Sequence, residues 1–193
     1  MKISVICHSL CGNTWLLAKE FQSSFQHLDG ESTLYRVADV DAGHWVEIFP
    51  AAAEMQADIA AAPVAVPEVL ENSDLIVIGC PTYFGNVSGE MKAFMDSTSM
   101  FWPQAKLAGK YFAAFATSGS SEGGAPLCLQ AILHYGQHMG MIHIPIPNAL
   151  IAGVDTCAYG ITSVSGGKAN IRPDANTLQL VNAYADVLVN VVR

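Results

Sequence analysis

Cationic side chains are scarce in this chain. Nine Lys and Arg stand against 17 Asp and Glu, a formal charge of −8 over 193 residues. Neutralising nucleic-acid phosphates requires clustered Lys and Arg, so DNA binding by this chain alone is excluded and no nucleic acid is expected as a partner. Long apolar runs are also missing. The composition is 51% hydrophobic with a mean hydropathy of +0.32, yet no segment approaches the roughly 18 to 20 uninterrupted apolar residues that a membrane span needs. The apolar excess points instead to a buried parallel sheet and a subunit interface. Paired cysteines are lacking as well: Cys7, Cys11, Cys80, Cys128 and Cys157 are odd in number, spread out, and form no C-x-x-C. Neither a disulfide framework nor a zinc site is indicated, and reduced thiols are expected. Met1-Lys2 leads directly into Ile3–Cys7, too short for a signal-peptide core, so a cytoplasmic location is expected. There is no G-x-G-x-x-G and no Lys at a Walker position, which disfavours a dinucleotide fold and a P-loop.

What is present is an alternation of strand and helix patterns. Lys2–Cys7 reads as a buried strand; after Asn13-Thr14, residues Leu16, Leu17, Phe21 and Phe25 follow helical spacing. Ser32–Val37 reads as a second strand, whereas Ala38–Pro67 is Ala-rich with weak periodicity and receives no assignment. Leu75–Gly79 is the clearest strand, a β-branched run of the kind buried on both faces. A helix from about Glu90 to Ser99, a strand at Tyr111–Thr117, a helix at Ala125–Met139 and a fifth strand within Met141–Ile151 follow. A last helix begins after Pro173, with Asp174 as N-cap and Leu178, Val181, Ala185, Leu188 and Val192 as its apolar stripe. The pattern predicts a single α/β domain over residues 1–193: a doubly wound, five-stranded parallel sheet with helices on both faces. Ala152–Arg172, rich in Gly, Ser and Thr, is the one region added to this minimal design.

Three polar loops follow strands one, three and four, whose carboxyl ends meet at the switch point where such sheets bind ligands. The first, Ser9-Leu10-Cys11-Gly12-Asn13-Thr14, contains no cation, but a helix N-terminus with unpaired N–H groups can hold a phosphate without one. An ordinary capped helix, with Asn13 or Thr14 as the cap, is the competing reading. The second, Pro81-Thr82-Tyr83-Phe84-Gly85-Asn86-Val87-Ser88-Gly89, sets two aromatics beside polar backbone and two glycines, which suits a flat heteroaromatic ring; packing of that pair on the core is the alternative. The third, Ser118-Gly119-Ser120-Ser121-Glu122-Gly123-Gly124, has no bulky side chain to obstruct a planar ligand and could equally be a flexible linker.

The strings SLCGNT, PTYFGNVSGEMKAFMD and AYGITSVSGG, with APVAVPEVL at Ala62–Leu70, resemble the flavodoxin-like NAD(P)H:quinone oxidoreductases of the WrbA type over nearly the whole chain. The resemblance implies a flavodoxin-like fold with strand order 2-1-3-4-5 and FMN as cofactor, with Ser9 to Thr14 around its phosphate, Pro81 to Asn86 along its ring and Ser118 to Gly124 at the other edge. It also implies that Trp102 and Tyr159 belong to the substrate pocket, Trp102 across a subunit boundary in a homodimer or homotetramer. NAD(P)H and a quinone-like acceptor are the implied partners, exchanging two electrons through FMN, with no single residue indispensable to the chemistry. Two departures stand out. Tyr83 replaces an Arg that the family carries after P-T, and Met139 occupies a position near the flavin where the family has His. An electron carrier between protein partners and a flavin-free regulatory relative are the competing functions.

Smaller constellations carry less. His134 and His138 lie four apart on one helix with His143 close behind, but no carboxylate or Cys cluster joins them, and no metal is expected. Cys7 and Cys80 end adjacent strands and are read as inert packing rather than a redox pair. No G-x-S-x-G supports a serine hydrolase.

Overall fold

The continuous apolar runs dictate the centre of the molecule. In a computed structural model describing residues 1–193, β1 (Lys2–Cys7) and β3 (Leu75–Pro81) lie side by side at the middle of a parallel sheet. Ile6, Leu75, Ile76, Val77 and Ile78 have no solvent exposure; each such aliphatic side chain contributes about 1.5–3 kcal/mol relative to an exposed one. β2 (Glu31–Arg36) flanks β1, and β4 (Tyr111–Ser118) flanks β3. With β5 (Ile142–His143), the order is β2-β1-β3-β4-β5, as the resemblance implies.

The fifth position differs from the expected continuous strand. β5 is two residues long and pairs only with Tyr111 and Phe112, whereas β6 (Ile161–Val164) pairs with Phe115–Ser118 in the carboxyl half of β4. Pro145 and Pro147 explain the break. Neither has an N–H to donate to a ladder, so the chain leaves β4 after Ile144 N–H reaches Phe112 O and returns only at Ile161.

Helices cover both faces. On one face α1 (Asn13–His27) and α8 (Ala175–Val192) pack with Phe21, Phe25, Phe115 and Tyr184 in one apolar cluster. Gly79 makes this packing feasible, because a Cβ there would fall 2.0 Å from the Phe115 ring. Asp174 caps α8 as expected, accepting a bond from Thr177 N–H at 2.8 Å. On the other face α5 (Pro67–Glu71), α6 (Gly89–Ser97) and α7 (Ala125–His138) supply a second cluster around Ile76, Ile78 and Phe112. A 3₁₀ turn at Ser99–Phe101 follows α6. The unassigned Ala-rich stretch forms three short helices, α2 (Ala42–Ile48), α3 (Pro50–Ala53) and α4 (Gln56–Ala61). Their shortness, with Pro50 restarting the chain, removes the sustained 3.6-residue period that would reveal a helix in sequence. No helix is long and apolar enough to cross a membrane.

Candidate active site

At the carboxyl ends of β1, β3, β4 and β6 the chain encloses a cleft of about 180 Å³. Ser9, Leu10, Cys11, Asn13 and Thr14 line it from the first loop, Pro81, Thr82 and Tyr83 from the second, and Thr117, Ser118 and Gly119 from the third. The place is the switch point of the sheet: the crossover from β1 runs to β2 on one side, while β3 sits on the other.

The first loop folds into a nest of free donors. Gly12, in the left-handed region at φ 91°, is the N-cap of α1 and offers no side chain. Trp15 N–H donates to Ser9 Oγ at 3.2 Å and Leu16 N–H to Gly12 O at 2.9 Å, but the amides of Leu10, Cys11, Gly12, Asn13 and Thr14 donate to no group of the chain. Asn13 and Thr14, the competing caps, are committed elsewhere. Asn13 Nδ2 donates to Ala169 O at 2.7 Å, and Thr14 Oγ1 contacts Thr117 Oγ1 at 2.8 Å. Behind the loop, Gln56 Nε2 donates to Leu10 O at 3.1 Å and Arg172 Nη1 to Cys11 O at 2.6 Å. In a trans peptide the C=O and the following N–H point oppositely, so these outward carbonyls turn the amides of Cys11 and Gly12 inward. Free amides at the positive end of a 15-residue helix can hold an anion. The phosphate of FMN fits this donor set.

The second loop is a two-residue hairpin. Tyr83 N–H donates to Asn86 O at 2.9 Å and Asn86 N–H to Tyr83 O at 3.0 Å, leaving Phe84 (φ 53°) and Gly85 (φ 74°) at the tip. Both left-handed angles are those of a type I′ turn, in which Phe is strained by about 1–2 kcal/mol. The Phe84 ring is fully exposed, so core packing does not offset that strain. Tyr83 is half-exposed and borders the cleft; burial of its hydroxyl, reinforced by the nearby Glu90 carboxylate, pushes the phenol pKa up to about 12. In the third loop Ser118 Oγ donates to Ser120 O at 2.8 Å, and Gly124 (φ 83°) abuts Gly85 so closely that a Cβ on Gly124 would lie 3.0 Å from Gly85 Cα. Ser120, Ser121 and Glu122 are exposed beyond the cleft rim, with Gly123 bonded back to Ser120 O.

Three residues singled out by resemblance lie away from this cleft in the protomer. Met139 is buried in the second apolar cluster beside Leu107 and Met141. Because α7 runs from the cleft toward the opposite edge, Met139 follows its far end, where Gly109 N–H bonds Gly140 O just before β4 begins. In the protomer it is a core residue at the end of the sheet opposite the cleft. Trp102, 63% exposed, follows the 3₁₀ turn near the same edge, where Lys106 pairs with Glu71 at 3.0 Å. Tyr159 precedes β6 rather than reaching the mouth of the cleft. Conversely, Phe49, Thr117, Ser165, Gly166, Gly167 and Ala169 line the cleft without having been singled out. Thr117 falls within the strand pattern Tyr111–Thr117, and Phe49 within the Ala-rich stretch of weak periodicity. Ser165–Ala169 belonged to the segment recognised as an addition, which Ser165 N–H fastens to Ser118 O at 2.8 Å.

A separate cluster sits at the end of β1. His8 Nε2 lies 3.1 Å from Asp39 Oδ2 and 3.8 Å from Glu90 Oε2, and the hydrogen bond to His8 holds the Asp39 carboxyl below its ordinary range. His8 Nδ1 is buried without a partner. A ring giving Nε2 to a metal would carry its proton on that unsatisfied Nδ1, contrary to the paired second nitrogen that metal-bound histidines show. The cluster instead ties β1 to the turn after β2. His134 and His138 are exposed, and burial lowers the His143 pKa. Cys7 and Cys80 point into opposite apolar clusters, and burial pushes the Cys7 thiol up, away from a reactive thiolate.

Comparison with known proteins bears on the family and the fold. The model of the NADPH-dependent FMN reductase family matches residues 1–155. An NAD(P)H dehydrogenase (quinone) of Chromohalobacter salexigens is 31% identical over 188 residues, 93% of this chain and 90% of that protein. Another so named, from Solidesulfovibrio magneticus, is 27% identical over 100% of this chain and 98% of its own. Among solved structures, a WrbA-like flavodoxin from Agrobacterium tumefaciens superposes with a TM-score of 0.68 at 21% identity, covering 100% of this chain and 97% of that one. Flavodoxin 1 of Bacillus cereus gives 0.67 at 15% identity over 98% of both chains. The fold is flavodoxin-like, the cofactor is FMN, and the chain belongs to the NADPH-dependent FMN reductase family.

Proposed function

We propose that the chain, acting as one domain, is an FMN-dependent oxidoreductase that passes two electrons from NAD(P)H to a quinone-like acceptor. The nest of five unpartnered amides from Leu10 to Thr14 carries this reading, because it supplies a phosphate with donors that no other group of the chain uses. Bound FMN supplies the hydride and electron chemistry. The residues of the cleft would bind and orient the cofactor. Ser9 to Thr14 hold the phosphate end, Pro81 to Asn86 border the ring, and Ser118 to Gly124 form the opposite edge with Ser165–Ala169 added to the wall.

Tyr83 stays a neutral phenol at any physiological pH and offers a hydrogen bond without charge. An Arg at this position would instead add a fixed positive charge and paired donors. The hydride from NAD(P)H carries two electrons and one proton, so reduction of a quinone to the quinol draws one further proton, which bulk water at the open cleft can provide. No side chain need act as a dedicated acid.

The reading includes a homodimer or homotetramer in the cytoplasm. The exposed Trp102 and neighbouring Met100 support self-association, since two large apolar side chains stand together on the surface. Five unpaired cysteines support a reducing compartment.

Gly85→Val tests the placement of the ring. A Cβ added there would lie 3.1 Å from Leu127 Cδ1, and φ is 74°. A folded variant should lose FMN affinity measurably by flavin fluorescence titration; unchanged affinity would displace the ring from this loop.

A further inference from the structure

The phosphate of FMN carries close to two negative charges at neutral pH, and the loop from Ser9 to Thr14 has no cation of its own. A guanidinium reaches that loop from 161 positions away in the chain. Arg172 Nη1 donates to Cys11 O at 2.6 Å and lies 3.5 Å from Asn13 Oδ1, while Nη2 donates to Glu54 Oε2 at 2.7 Å and to Ala51 O at 3.4 Å. The guanidinium does not line the cleft. It stands behind the loop, beside Met55, which covers Gly12.

We propose that Arg172 is the cation of the FMN phosphate site, acting as a positioning residue through the Cys11 carbonyl. It does two things at once. By fixing the Cys11 carbonyl outward it holds the Gly12 N–H toward the cleft, and it places a permanent positive charge immediately behind the donors that face the phosphate. Glu54 moderates that charge. Its carboxylate is 70% exposed against 28% for Arg172, so it is the more hydrated member of the pair and can be removed without opening a cavity. Gln56 makes the same kind of carbonyl contact one peptide earlier, on Leu10 O, with no charge. Orientation is thus supplied by both residues and charge by Arg172.

The proposal rests on the reading that the FMN phosphate occupies the first loop. Riboflavin, which has the same ring and no phosphate, separates the two. The experiment titrates FMN and riboflavin into the full-length wild type, Arg172→Met, Arg172→Lys and Glu54→Gln, following flavin fluorescence at two salt concentrations, with circular dichroism to confirm folding. Loss of a hydrogen bond to a charged group should weaken FMN binding by about 10- to 100-fold in Arg172→Met while riboflavin changes by less than about twofold. Arg172→Lys should recover part of the loss. Glu54→Gln should tighten FMN binding a few-fold and leave riboflavin alone, with the gain shrinking as salt rises.

Equal losses for FMN and riboflavin in a folded Arg172→Met would show a merely structural Arg172 and overturn the proposal. So would unchanged FMN affinity. If Arg172→Met does not fold, Glu54→Gln and Arg172→Lys decide, and an FMN affinity indifferent to both substitutions contradicts it. Wild type that binds riboflavin as tightly as FMN would instead overturn the placement of the phosphate, and this inference with it.

Discussion

Thr14 and Thr117 meet hydroxyl to hydroxyl at 2.8 Å, both buried, joining the first turn of α1 to the end of β4. The contact fastens the phosphate loop to the wall on which the third loop is built. Leaving one buried hydroxyl without a partner costs about 1–3 kcal/mol, whereas removing both partners with shapes retained is nearly neutral. Thr117→Val should therefore lower the stability in urea by that amount and weaken FMN binding. The double variant Thr14→Val/Thr117→Val should recover most of the stability. Additive losses in the double variant would show that the hydroxyls do not act as a pair.

Phe84 is strained and exposed at once. Phe84→Gly relieves a left-handed backbone angle and should raise stability by about 1 kcal/mol, although the greater freedom of the unfolded chain takes back part of the gain. Because the ring stands at the edge of the proposed flavin site, the same variant should reduce quinone turnover. A variant that loses stability would mean that the exposed ring packs against something in solution, for which a second copy of the chain is the first test.

Tyr83 and Tyr135 both have phenol pKa values pushed up to about 12, chiefly by burial. An unfolded tyrosine ionises near pH 10. The sign is that of a raised folded value: the contribution to stability is fully present below about pH 10 and is lost as pH rises through about 12. Tyrosinate absorbance in the folded protein should therefore appear late, and denaturant midpoints should fall over the same alkaline interval. Early ionisation of Tyr83, isolated by comparing wild type with Tyr83→Phe, would contradict the buried hydroxyl.

Gly160 seats β6 against β4. A Cβ there would lie 2.2 Å from Ala114 O, at a φ of +148°. Gly160→Ala should cost about 2–4 kcal/mol through overpacking and strain, and it should loosen the Ser165–Ala169 wall enough to weaken flavin binding. Thermal unfolding with and without FMN measures both effects.

The sheet was legible because burial on both faces leaves a continuous β-branched run such as Leu75–Ile78, and α8 because Asp174 and a regular stripe mark its start and its face. The split fifth position was written in Pro145 and Pro147, but an apolar run masked it. In the site, the three loops were readable from their place after strands. Arg172 and Ala169 were not, because their contacts with Cys11 and Asn13 span more than 150 residues and leave no local pattern. The place of Met139 in the protomer was not legible either: a resemblance aligns positions, whereas only the direction of α7 shows which end of the sheet a residue reaches.

The most direct test of the proposed function is the visible spectrum of FMN-loaded protein when NADPH or NADH is added without oxygen, followed by a stoichiometric quinone. The expected result is bleaching of the flavin band by one of the two nucleotides and its return on adding the quinone. A flavin band that persists with both nucleotides, in protein that demonstrably holds FMN, would contradict the reductase and leave an electron carrier that depends on a separate reductase.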